Sequence, residues 1–235
     1  MDRLKSFLKG YKSILVAVIV MALPAIGEMS LNTLLGVADT VMISFLIGSD
    51  ALAAAGFANN IIFILIFVFS SFNTGATAMI ARAFGEKDYD KLNKIAGQTV
   101  SVNFIIGVII TILALLFAEE IFKIFEMSAE VFSLTLQYFY IIAFGLLFLF
   151  LAFSFGAILR GAGDTFTPMV ITGVTNVLNI IGNYVLIIGV GPFPEMGIAG
   201  AAWATTISRL IAVVIYIYFL FMKILFKINF KIKLI

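Results

Sequence analysis

The chain of 235 residues is 63% hydrophobic and only 12% charged, too few charges to clothe a soluble protein, so the composition is that of an integral membrane protein. The absence of cysteine and histidine excludes disulfides, thiol nucleophiles, imidazole bases and the common zinc sites. A formal net charge of +2 conceals a strong asymmetry in where the charges fall.

Residues 1–12 are short, basic and followed by an apolar run far longer than a signal-peptide core, so the first span is expected to act as its own insertion signal. That run covers residues 13–48. Pro24 interrupts it and should kink the helix, because proline removes one backbone hydrogen bond. Glu28, Asn32 and Asp39 follow at steps of four and seven, on one helical face. Asp39 has no basic residue within helical reach in sequence. A carboxylate at that depth costs about 2.5 kcal/mol or more and is kept when it binds a proton, a metal ion or a cationic ligand. Residues 51–84 form a second apolar segment, and the charged loop GEKDYDKLN at 85–93 separates it from a third at 95–118. An acidic, partly amphipathic stretch at 118–130 leads into a fourth segment at 130–157, expected as one span.

The glycine-rich turn at 160–168 (RGAGDTFTP) opens the fifth segment, 167–189, with Thr167 expected as N-cap and Pro168 at the first helical position. Thr172, Asn176, Asn179 and Asn183 make a polar stripe along it at steps of four, three and four. A stiff loop, GVGPFPEMG, precedes the sixth segment at 197–222. Its small residues (GIAGAAWATT) permit close helix packing and set Thr205 and Thr206 inside the membrane. The basic tail, 223–235, alternates lysine with apolar residues and is expected along the inner leaflet or leading into a further segment.

The fold class is therefore an all-α bundle of six transmembrane helices. If the spans alternate, thirteen of the fifteen Lys and Arg residues lie on one side, and both termini are cytoplasmic by the positive-inside rule. Counted from the outer ends at 1.5 Å per residue, Asp39 is about 13 Å deep, Asn179 about 15 Å, Asn183 about 9 Å and Thr205 about 12 Å. One carboxylate, two amide oxygens and a hydroxyl at one level suit a hard cation such as Na⁺, or a proton. The plain alternative is that the asparagines only hydrogen-bond to neighbouring helices. Glu28 and Arg209 are both about 20 Å deep when counted from the cytoplasmic ends, which allows an ion pair, though counting from the outer ends separates them. Glu28, Asn32, Asn176 and Arg209 are otherwise candidates to line a cavity.

Several strings are similar to the N-terminal lobe of multidrug and toxic compound extrusion (MATE) transporters: LPAIGEMSLNTLLGVADTVMI, ARAFGEKDYDKLNKIAGQ, GAILRGAGDTFTPM, NVLNIIGNYVLI and GIAGAAWATTIS. The resemblance implies multi-pass insertion in the plasma (inner) membrane and export of organic cations in exchange for inward H⁺ or Na⁺. No enzymatic activity, other cofactor or nucleic acid is implied. It also implies that Asp39 is the essential carboxylate and Pro24 the point of helix bending. Asn179 and Thr205 match positions lining the cation site, and Ala201 one that offers its backbone carbonyl. Two departures stand out. Asn183 occupies a position where many prokaryotic members carry a second acid. The family also has twelve spans in two lobes, whereas six are present here, so a second six-helix lobe, from a missing half or a homodimer, is the expected partner. Two other readings remain at this point. A lipid-linked sugar flippase would line its cavity with several basic residues, and only Arg209 is available. A non-transporting fragment or assembly partner is the other. An aspartyl-type enzyme is disfavoured because Glu28 and Asp39 are about 16 Å apart along one helix.

Overall fold

The computed structural model describes residues 2–225, with side chains described over 15–220 except Ala17. Eight helices follow in order: α1 (Asp2–Leu46), α2 (Ser49–Gly85), α3 (Tyr89–Leu116), α4 (Ala118–Lys123), α5 (Ala129–Phe144), α6 (Leu146–Gly161), α7 (Phe166–Ile188) and α8 (Gly197–Leu225). Five are long and apolar enough to cross a membrane alone, and α5 with α6 makes a sixth span bent by 43°. Most of the basic tail expected at 223–235 lies outside the described residues; the described part, 223–225, is the last turn of α8.

The fourth segment is thus not one straight span. Its break falls at Gly145, whose N–H reaches the Ile141 carbonyl at a long 3.3 Å. The same carbonyl accepts from the Thr206 hydroxyl on α8 at 3.1 Å. A Cβ at position 145 would come within 2.8 Å of Thr206 Oγ1. A foreign hydroxyl shares the ladder where only glycine leaves room for it, an established cause of kinking.

The start of α7 also differs from expectation. The helix begins at Phe166, and Asp164 rather than Thr167 supplies the cap. Its two carboxylate oxygens accept from the Thr167 amide at 2.9 Å and from the Thr167 hydroxyl at 2.7 Å. A carboxylate two residues before the helix has acceptors for both groups, whereas a threonine hydroxyl has one oxygen. Pro168 falls in the first turn, where its missing N–H costs nothing. In the α2–α3 loop, Glu86 accepts from Arg82 at 2.9 Å and from Lys91 at 3.1 Å. These bonds, Arg82 first, hold its carboxyl below the usual range. Asp88 caps α3 through the Lys91 amide.

The core lies among α2, α5 and α6, with Phe122, Phe139 and Phe150 fully enclosed. Asn73 on α2 and Asn103 on α3 donate to each other at 3.2 and 3.3 Å, and each also reaches the carbonyl four residues back. All amide hydrogens used between them are satisfied, as a dry interior requires. α7 packs mainly on α8 and α1. The most apolar window of α1 has no buried residue, so α1 is peripheral, attached to the bundle by the contacts described next.

Candidate functional site: a carboxylate between α1 and α7

Asp39 is half-buried. Its Oδ1 accepts from Asn183 Nδ2 at 2.6 Å. Asn179 completes the contact: with its amide nitrogen turned to Oδ1 at 3.0 Å, its oxygen accepts from Thr205 Oγ1 at 3.1 Å. The opposite orientation would set the amide oxygen against the carboxylate, so the hydrogen-bond network selects the first. Asn179 and Asn183 are each 1% exposed. One turn of α7 earlier, Asn176 Nδ2 donates to the Leu31 carbonyl of α1 at 2.9 Å. The 3.6-residue repeat of the asparagines is what makes this possible: three successive turns of α7 present an amide to one side of α1. Asp39, Asn179, Asn183 and Thr205, expected at one depth, are brought together.

The chemistry of the cluster differs from an oxygen cage. Both amides present nitrogen to Asp39, because an ionised carboxylate only accepts hydrogen bonds. Asn183 Oδ1 is buried and has no partner among the described residues. Ala201 is buried one turn before Thr205 on α8. No group of three or more acids that could hold a metal gathers anywhere among the described residues. The arrangement offers one carboxylate, which matches the charge of a single proton or monovalent cation.

The expected pairing of Glu28 with Arg209 is not formed. Glu28 is instead paired with Arg160 at the end of α6, whose Nη1 lies 3.2 Å from both carboxylate oxygens, with side chains 14% and 29% exposed respectively. Counting depth along each helix treats a side chain as a point on its axis. A long arginine reaches well beyond its own turn. Arg209 is half-buried on α8, one turn beyond Thr205, with its Nη1 enclosed. Asn32 is exposed. Pro24 is inside a helix that continues unbroken through it. A cavity of about 240 Å³ opens beside Arg160, lined also by Ser70, Asn73, Thr74, Thr77 and Phe153. It does not include Asp39. Arg160 was placed with the turn by its position in RGAGDT, and no sequence signal pointed it back to α1.

A family model described as MatE matches residues 24–185. A probable multidrug resistance protein NorM from Thermotoga maritima is 37% identical over 204 residues, covering 86% of this chain and 44% of its own length. Two solved structures, described as MATE in the straight and in the bent conformation, match with TM-scores of 0.81 and 0.82 at 28% and 27% identity. Each match covers 91% of this chain and 46% of the solved one. The chain therefore spans about half the length of the relatives it matches.

Proposed function

We propose, from the premise that this chain belongs to the MatE family of transporters and corresponds to its N-terminal half, that it is one lobe of a cation-coupled exporter of organic cations. The coupling ion is H⁺ or Na⁺, and its site is Asp39. The observation that carries this reading is the bonding of the Asp39 carboxylate to the asparagine stripe of α7. The membrane orientation that goes with it, both termini cytoplasmic, rests on the distribution of Lys and Arg.

The mechanism follows from what holds α1 in place. Beyond Pro24, α1 is tied to α7 at Leu31 and Asp39, and to α6 at Glu28. Neutralising Asp39 removes the charge that attracts both amide nitrogens and weakens two charge-assisted bonds. With Na⁺ the amides turn over, and Asn183, Asn179, Thr205 and the Ala201 carbonyl supply oxygens. With H⁺ the carboxyl itself becomes a donor, for which Asn183 Oδ1 is the adjacent acceptor. Either way the bonds between Asp39 and α7 are rearranged, and the bend of α1 shifts at Pro24, where the helix lacks one hydrogen bond. A change of shape that alters substrate affinity follows from differential binding to two states. The substrate cavity lies against a second lobe, and Glu28, Asn32 and Asn176 border it.

The test is Asp39→Asn in the assembled two-lobe transporter. Drug efflux should fall to the background of empty membranes while expression is retained. Efflux equal to the parent at matched protein level refutes the mechanism.

A further inference from the structure

Arg209 is a half-buried cation that the mechanism above does not use. Its Nη1 is enclosed and makes no hydrogen bond among the described residues. An unpaired buried guanidinium nitrogen is costly and calls for a reason. Glu28, the other acid of the membrane interior, is committed to Arg160. Among the described residues, the carboxylate that leads to Arg209 through hydrogen bonds is Asp39: Asn179 meets Asp39 and Thr205, and Arg209 follows Thr205 by one turn of α8. The two hydrogen bonds to Asp39 both address Oδ1; no described residue donates to Oδ2. An unfilled acceptor on α1 and an enclosed, unfilled donor on α8 are therefore connected through Asn179 and Thr205 without forming a direct ion pair.

We propose that Arg209 is the internal counter-ion of Asp39, a positioning residue with which the transported cation must compete. This deepens the reading of Asp39 as the cation-binding carboxylate and rests on it. With the site empty, the two charges cancel and the interior is neutral. Loading a monovalent cation at Asp39 leaves Arg209 without compensation, because the site gains one net positive charge. At low dielectric the attraction between unit charges is larger at any given distance, so the pair interacts without direct contact. Arg209 thus weakens cation binding and makes the loaded state the less comfortable one for α8. The charge change at Asp39 is passed to a helix that makes no hydrogen bond to it.

The test uses the whole chain in detergent. Asp39→Asn and Arg209→Gln should each lower the melting temperature, and the double variant should melt above the lower of the two, because it removes both charges together. This comparison stays informative if either single variant folds poorly, since rescue by the second substitution is itself the expected result. Additive losses in the double variant would overturn the pairing. Sodium supplies a readout that a merely structural role would not move. In NaCl against choline chloride at constant ionic strength, Arg209→Gln should be stabilised by at least about fivefold less Na⁺ than the parent. Arg209→Lys, which keeps the charge, should behave like the parent. A Na⁺ response absent from Arg209→Gln, or equal to the parent's, would overturn the competition. Melting needs no transport, so loss of this coupling is distinguishable from failure of the exporter reading, which the efflux of Asp39→Asn decides.

Discussion

At Asn183 a single atom decides what the site can hold. Its Nδ2 lies 2.6 Å from Asp39 Oδ1, short for a bond from nitrogen, in the direction that a charged acceptor favours. Replacing that donor by a second carboxylate would place two negative groups in contact, and two such groups cannot both ionise without a cation between them. Asn183→Asp is therefore expected to show a larger Na⁺-dependent rise in melting temperature than the parent, by several degrees in NaCl over choline chloride. The same shift in the parent and the variant would place Asn183 outside the ion site. The stripe on α7 was legible in the sequence because polar residues at helical spacing on an apolar helix stand out, and their meeting with Asp39 followed from depth alone. The direction of the amides was not legible. It depends on the charge of the group they face, which spacing does not encode.

At the scale of elements, α1 packs on α7 and is further held by polar contacts, of which the Glu28–Arg160 pair is the tie nearest Pro24. The pair is partly buried, so removing one partner leaves the other short of both water and a counter-ion. Glu28→Gln and Arg160→Gln should each cost about 1–2 kcal/mol, below the range for a fully buried pair because both side chains keep some exposure. The reversed pair, Glu28→Arg with Arg160→Glu, should recover most of the loss if the contact acts as a tie between α1 and α6. A reversed pair no more stable than its single components in thermal melts would show that the two residues act separately. The spans themselves were readable from length and apolarity. The bend at Gly145 was not, because it arises from Thr206, 65 residues beyond the Ile141 carbonyl for which it competes. The Asp164 cap is hidden for a local reason: Thr167 beside the proline has the usual capping side chain, and the acid three residues earlier reaches its amide and hydroxyl from outside the helix.

For the molecule as a whole, the face formed by α1 and α2 is the surface to account for. Ser30, Asn32 and Thr33 on α1 and Ser70, Ser71 and Thr74 on α2 are all exposed. Several of these hydroxyls are satisfied within their own helix: Thr33 donates to the Met29 carbonyl at 3.0 Å, Ser71 to Phe67 at 3.2 Å and Thr74 to Ser70 at 2.9 Å. Lipid tolerates a hydroxyl so engaged. It does not tolerate the Asn32 amide or the open side of Asp39, where each unsatisfied group costs on the order of a few kcal/mol. The drive to cover this face therefore comes from two residues on α1 rather than from the whole polar surface. A second lobe of similar fold would cover it, and lobes related by an axis along the membrane normal allow a second copy of the chain to do the same. In mild detergent the chain is expected to dimerise or to co-purify with another six-helix protein, and light scattering corrected for bound detergent measures which. Asn32→Leu should weaken that association less than Asn32→Asp strengthens it, because leucine removes the unsatisfied group whereas a carboxylate adds a charge that lipid excludes more strongly. A stable monomer that exports an organic cation from liposomes would show that one lobe suffices, and that the open face of α1 is itself the transport surface.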